Sequence, residues 1–300
     1  MRTIKCYDKF TLKLVHKETF MKQHLICLDL DGTLLNDAKE ITPYTFKVLK
    51  TLQAKGHAIM ISTGRPFRAS QRYYHELEMD TPIVNFNGAY VHHPKDSQFP
   101  MQHARLDEGI ASSIIETLKE MKVQNIIAEV KDCVYLDRYD ENLFEGFSMG
   151  EAHIEVGDLR TLLHENPTSL LIQAEEHQIP RIKQTLTRFY AENIEHRRWG
   201  APFPVIEIVK LGISKAVGID MVKDYLNIER QHIIAFGDED NDIEMIKYAK
   251  HGVAMENAIP ELKHIAKETT ASNNEDGIGR YLNDYFQLNL SYKDIKEDSK

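Results

Sequence analysis

The chain has 300 residues, with 37 Lys plus Arg against 46 Asp plus Glu and a formal net charge of −9. That balance argues against a nucleic-acid binder, which needs a basic stripe for phosphates. The 42% hydrophobic and 28% charged content excludes long-range disorder.

Cys6, Cys27 and Cys133 are far apart and odd in number, which excludes a disulfide scaffold and a cysteine zinc site and fits a reducing, cytoplasmic setting. No run approaches the roughly 18 apolar residues of a membrane span. Residues 1–21 are mixed and basic, without the apolar run of a signal peptide. They are expected to be an N-terminal extension, and Met21 reads as a second possible start.

Residues 24–30 (HLICLDL) form a short apolar run that predicts a buried strand, followed by the turn Asp31-Gly32-Thr33. Thr42-Pro43 opens a helix that Gly56 closes, and residues 57–62 predict a second buried strand. Strand, helix and strand within roughly 40 residues make a parallel, right-handed βαβ unit. Pro66 opens a further helix, and residues 82–86 give a third strand before the turn signal Asn87-Gly88.

The pattern then changes. Three short apolar runs (126–130, 169–174, 205–209) and two helical stretches (107–121, 179–193) predict an inserted α+β domain. The βαβ rhythm returns with a helix from Ser214, a strand over 232–236, a helix over 241–249 and a strand over 252–255. Two more helices follow, from Pro260 and over 277–286. The expected fold is α/β: a doubly wound parallel-sheet core over 22–88 and 208–286, an α/β cap over 89–207, and a frayed polar tail over 287–300.

In such a sheet, ligands bind beyond the carboxyl ends of the strands. Three polar clusters fall there: Asp29 to Thr33, Ser62 to Arg65, and Gly237 to Asp242. Carboxylates gathered in one crevice need a cation, and oxygen-only ligands select Mg²⁺. One carboxylate can then attack phosphorus, and a second can protonate the leaving oxygen and later deprotonate water. Thr63 can donate to a phosphate oxygen, and Gly64 lets the backbone approach it. A lysine is required to offset charge in the transition state. The run from Asp238 is not an EF-hand, because Ile243 and Ala249 stand where Gly and Glu are needed.

Asp29-Leu-Asp-Gly-Thr33, Thr63-Gly-Arg65, a lysine after the insertion and Gly237-Asp-x-x-Asn-Asp242 together resemble the haloacid dehalogenase superfamily, most closely its Cof-type branch. Asn87-Gly88-Ala89 and Asn273-Asn274-Glu275-Asp276-Gly277 are also similar to that branch. The resemblance implies Asp29 as nucleophile and Mg²⁺ ligand, and Asp31 as general acid/base with its backbone carbonyl on the metal. Asp238 would be a further ligand and Asp242 a metal-shell residue through water. Leu30, Thr63, Gly64, Lys215 and Asn241 would bind the phosphate. Lys215, which opens a helix, is the best match for the lysine; Lys210 is its rival.

The implied activity is hydrolysis of a small phosphorylated metabolite by an Mg²⁺-dependent phosphatase, with no nucleic-acid or membrane partner. A phosphomutase and a non-catalytic binding protein are the alternatives. Arg65 is expected to pair with a neighbouring carboxylate, Cys27 to be a small buried hydrophobe, Trp199 to pack, and His92-His93 to be exposed.

Overall fold

The computed structural model describes residues 22–147, 150–198 and 205–292. In β1 (Leu25–Leu28) every residue is buried, as a parallel sheet covered on both faces requires. α1 (Pro43–Ala54) carries proline in its first turn, where the missing N–H costs nothing. It leads to β2 (Ala58–Ile61), which pairs in parallel with β1. α2 (Phe67–Glu76) then leads to β3 (Ile83–Asn85), which meets the end of β2 through a parallel bridge between Ser62 and Val84.

β4 (Tyr90–His92) and β5 (Gln102–His103) fold back antiparallel beside β3. Val91 and Phe99 join the hydrophobic cluster of β1 and β2. The crossing into the insertion, expected at residue 89, therefore falls after β5. His92 is not exposed as expected: its ring stacks on Tyr90 at 4.4 Å, and burial pushes its pKa down to about 4.

The insertion comprises α3 (Glu108–Glu120), β6 (Asn125–Val130), β7 (Cys133–Leu136), α4 (Glu141–Phe147), β8 (His153–Val156), α5 (Leu159–Leu162), β9 (Ser169–Gln173), α6 (Ile179–Tyr190), β10 (Ile194–Arg198) and β11 (Val205–Lys210). Its six strands form one sheet, β10-β11-β9-β6-β7-β8. Ile114 and Leu118 of α3 and Ile182 and Leu186 of α6 share a second cluster with residues of β6, β9 and β11. β11 pairs with β10 as far as Lys210 opposite Ile194. Residues 208–210, expected in the core, thus belong to the inserted sheet, because Ile208 is buried in that second cluster.

The core resumes with α7 (Lys215–Tyr225), β12 (Ile233–Gly237), α8 (Ile243–Tyr248), β13 (His251–Ala254), α9 (Pro260–Ile265), β14 (Glu268–Thr269) and α10 (Gly277–Tyr285). Leu288, Leu290 and Tyr292 pack against the core, and the Tyr292 ring meets Tyr44 edge-on at 4.8 Å. The tail expected from residue 287 is therefore anchored through Tyr292, because its apolar side chains find cover. Residues 1–21, Trp199 and 293–300 lie outside the described residues. Among the described residues, no helix is long and apolar enough to cross a membrane.

The parallel sheet runs β14-β13-β12-β1-β2, all strands aligned. Strand order reverses between β1 and β12, since the chain first grows outward through β2 and later through β13. A crevice opens at such a switch point. Register fixes what lines it. Leu28 stands opposite both Phe236 and Ile61, so Asp29, Gly237-Asp238 and Ser62-Thr63 emerge at one level.

Core and insertion are also joined by side chains. Arg68 of α2 and Glu129 of β6 form a buried ion pair at 2.5 Å. Arg68 Nη1 also donates to the Lys131 carbonyl at 3.2 Å, and its backbone N–H to Asp132 at 2.9 Å. Removing one partner of a buried pair strands the other charge and typically costs about 3–5 kcal/mol. Arg68→Ala is therefore expected to lower the thermal midpoint by several degrees, with Arg68→Met/Glu129→Leu recovering most of the loss. A single variant that melts with the wild type would show that this pair does not hold the domains together.

Candidate active site

Lys215, the first residue of α7, is fully buried. A charged lysine there needs partners, and it has two. Its Nζ lies 2.6 Å from Asp29 Oδ1 and 2.6 Å from Asp242 Oδ1. Burial alone would push the ammonium down; Asp242 and Asp29 outweigh it and hold it charged. Lys210 is elsewhere: it pairs with Asp107 at 3.1 Å, and the groove that these two residues line includes none of Asp29, Asp31, Asp238 and Asp242.

Asp29 follows β1, and its backbone N–H donates to the Phe236 carbonyl at 3.2 Å. Asp238 follows β12 and accepts from the Thr33 hydroxyl at 2.6 Å. Asp242 turns back beneath both: its Oδ2 accepts from the backbone N–H groups of Asp238 (2.9 Å) and Glu239 (3.1 Å). Oxygens of Asp29, Asp238 and Asp242 all lie within 4.8 Å of one another.

Burial, followed by the Asp242 charge, pushes the Asp29 carboxyl up to about 7 despite Lys215. Burial and the charges of Asp29 and Asp242 push Asp238 to about 8. Three carboxylates facing one ammonium are under-compensated. The donor set is all oxygen, and it fits a hard divalent cation.

Gly32 makes this packing possible. Its φ is +73°, and a Cβ would fall 2.2 Å from Asp238 Oδ2. The turn is held from below by residues of the Asn273 segment. Asn257 Nδ2 donates to the Gly32 carbonyl at 2.8 Å, and Asn273 donates its N–H to Asn257 Oδ1 and its amide to the Leu35 carbonyl.

The Asp31 side chain stands outside the cluster. Arg65 grips it with two bonds of 2.6 Å, and Lys39 adds one of 2.7 Å. Burial would raise this carboxyl, but Arg65 and Lys39 outweigh it and hold it at about 2. In this arrangement Asp31 is ionised at neutral pH. A proton-donating role therefore requires it to leave Arg65 and Lys39.

The phosphate-side candidates line the neighbouring strand ends. Leu30 is buried in the turn, its carbonyl accepting from Leu35 at 2.9 Å. Thr63 is buried, and its Oγ1 accepts from the Arg65 N–H at 3.1 Å. A Cβ on Gly64 would lie 3.2 Å from both polar atoms of the Asn87 amide. Asn241 donates to Asn87 Oδ1 at 3.0 Å.

Asn87 is thus the hub of this side, and sequence reasoning treated it only as a turn and a family signature. Thr33 and Glu207, which reaches Asn87 from β11 at 3.1 Å, were missed. The one available signal was the Asn-Gly pair, since asparagine is enriched at left-handed positions.

Carboxylates and a buried lysine at the switch point of a parallel sheet, beneath an inserted α+β domain, define a phosphoryl-transfer core. Residues 26–282 match the family model of the haloacid dehalogenase-like hydrolases, and the chain belongs to that family, in its Cof-type branch. It is 49% identical over 267 residues to the 5-amino-6-(5-phospho-D-ribitylamino)uracil phosphatase YitU of Bacillus subtilis (strain 168), covering 89% of this chain and 99% of that one. It is 29% identical over 260 residues to YcsE of the same organism, a phosphatase with the same named substrate, covering 86% and 94% of the two chains.

A crystal structure of a haloacid dehalogenase-like hydrolase from Bacteroides thetaiotaomicron superposes with a TM-score of 0.78 at 26% identity, covering 88% of this chain and 100% of that one. The protein is accordingly a phosphatase, a phosphoric monoester hydrolase acting on a small phosphorylated metabolite. The family is typically metal-dependent.

Proposed function

We propose that the protein hydrolyses 5-amino-6-(5-phospho-D-ribitylamino)uracil through an aspartyl-phosphate on Asp29, in the cytoplasm. The observation that carries the mechanism is the buried Lys215 ammonium, 2.6 Å from both Asp29 and Asp242. The substrate is supported by the named activity of the relatives at 49% and 29% identity.

An Asp29 oxygen attacks phosphorus, and the P–O bond to the alcohol breaks. Asp31, once free of Arg65 and Lys39, carries the proton that the leaving oxygen takes up. It then accepts a proton from water, whose oxygen attacks the phosphorus of aspartyl-phosphate and releases inorganic phosphate and free Asp29. Lys215 offsets charge on the phosphoryl oxygens. Thr63, Gly64, Asn241 and the backbone at Leu30 hold the remaining oxygens. When bound, Mg²⁺ would neutralise the phosphate against the carboxylates. Asp29, Asp238 and the Asp31 carbonyl would hold it, with Asp242 through water.

The test is phosphate release from this substrate by the full chain. Activity is expected to vanish in EDTA and return with Mg²⁺, whereas Ca²⁺, with its larger and looser shell, inhibits. Full turnover in chelator, or an isomerised substrate in place of free phosphate, would overturn the reading.

A further inference from the structure

In the proposed reaction Asp31 carries a proton to the leaving oxygen, yet its carboxylate is held outside the Asp29 cluster by Arg65 and Lys39. Arg65 comes from a family motif; Lys39 belongs to none. The two grips differ in kind. The Arg65 side chain is 17% exposed, whereas those of Lys39 and Asp31 are 53% and 43% exposed. Lys39 is thus the solvent-facing half of the hold, and the half that dissolved ions screen.

The backbone beneath Lys39 is tied down on both sides. Its φ is 61°, a conformation uncommon for residues other than glycine. It closes a tight turn, donating its N–H to the Asn36 carbonyl at 2.9 Å. On one side of that turn, the Asp37 N–H donates to Asn274 Oδ1 at 3.1 Å, and the Asp37 carboxylate accepts from Asn273 Nδ2 at 3.2 Å. On the other, the Lys39 carbonyl accepts from Arg72 at 2.6 Å and from the Tyr73 hydroxyl at 2.9 Å. Tyr73 is buried in α2, and its ring centre lies 5.7 Å from the Arg65 guanidinium. One buried tyrosine therefore supports both cations that grip Asp31. A left-handed backbone held this way persists because its surroundings over-determine it, and such positions cluster at functional sites.

We propose that Lys39 is a positioning residue, a latch that parks Asp31 away from the leaving oxygen and sets the fraction of molecules in which Asp31 is free to reach it. The proposal rests on the reading of Asp31 as the proton donor. As the P–O bond breaks, the proton passes from Asp31 to the leaving oxygen, and the carboxylate left behind can return to its cations. An alkoxide needs that proton; p-nitrophenolate leaves as a stable anion without it. Weakening the latch raises the competent fraction and so speeds the alkyl ester alone.

The test uses the full chain with Mg²⁺ and two esters, the alkyl ester 5-amino-6-(5-phospho-D-ribitylamino)uracil and p-nitrophenyl phosphate. It reads the ratio of their kcat/KM values, in which attraction of phosphate by the lysine charge cancels. Lys39→Met is expected to raise the alkyl-to-aryl ratio by about two- to fivefold, the span of an exposed ion pair. Lys39→Arg, which keeps the charge, should hold the ratio at or below the wild-type value. Raising NaCl from about 0.02 to about 0.5 M should raise the ratio of the wild type but not that of Lys39→Met, because salt screens an exposed pair. A wild-type ratio indifferent to salt, a result that depends on no variant, overturns the latch. So does a ratio that Lys39→Met leaves unchanged or lowers, which would make the contact merely structural. Asp31→Asn separates this failure from that of the reading beneath it. It should cut the ratio by at least about tenfold, and equal losses on both esters would mean that Asp31 is not the donor.

Discussion

Asp29→Asn is expected to lower turnover by at least about 10³-fold and to abolish phosphorylation of the protein by acetyl phosphate. The change is nearly isosteric and removes the attacking charge alone. Its effect on stability has a definite sign. The Asp29 carboxyl sits at about 7 rather than 3.8 because burial disfavours its charged form. A neutral amide carries no such penalty, so in chelator at pH 8 the variant should melt no lower than the wild type. Activity and thermal midpoint thus separate chemistry from folding. A variant that keeps more than a few per cent of wild-type turnover would remove Asp29 from the role of nucleophile. One that melts far below the wild type would show that the Asp29–Lys215 contact, rather than charge burial, dominates at this position.

The parts of this site that were legible in the sequence are those set by strand register. β1, β2 and β12 are continuous apolar runs of strand length, so their ends could be placed within a residue or two. Once the three strands are parallel neighbours, Asp29, Thr63 and Asp238 must converge. Lys215 was legible as a lysine at a helix start, an unfavourable place for a cation unless a phosphate sits beside it; what the sequence did not show is that Asp29 and Asp242 meet its ammonium. Cys27 is buried in β1 as expected, with its thiol pushed well up by burial.

Two of the strands that escaped notice lack that signal. β10 reads Ile-Glu-His-Arg-Arg, and β8 is half-exposed along its length. Both gain their place from a neighbouring strand rather than from a hydrophobic run of their own. β4 and β5 were likewise hidden, and with them the true start of the insertion. Side-chain pairs distant in sequence were not readable at all. Arg65 was expected to find a carboxylate, but nothing in the order of residues said that it would be Asp31. Nor did anything link Arg68 to Glu129, or Asn87 to Glu207, since these meetings depend on how one domain docks on another.

Lys215→Met should be nearly as damaging to catalysis as loss of the nucleophile, and its effect on stability should depend on pH. The thioether fills similar volume and carries no charge. Loss of a preorganised cation from a buried phosphoryl-transfer site is expected to cost about 10²–10³-fold in kcat/KM. In the folded protein, removal also leaves Asp29 and Asp242 without their shared counter-charge, a change of about 3–5 kcal/mol for a buried pair. The pH dependence follows from Asp29. A carboxyl whose folded-state value lies above its ordinary 3.8 contributes stability that is fully present below 3.8 and lost as pH rises through the folded value, here about 7. Asp238, at about 8, adds a loss of the same sign. Without Lys215 the Asp29 value moves further up, so ionising it costs more. In EDTA, the gap between wild-type and variant thermal midpoints should therefore be small at pH 5.5 and wide at pH 8. Mg²⁺ should narrow it at the higher pH by supplying positive charge to the same carboxylates. A gap that stays constant from pH 5.5 to pH 8 would mean that Lys215 stabilises this site through packing, and that the carboxylates draw their compensation from another source.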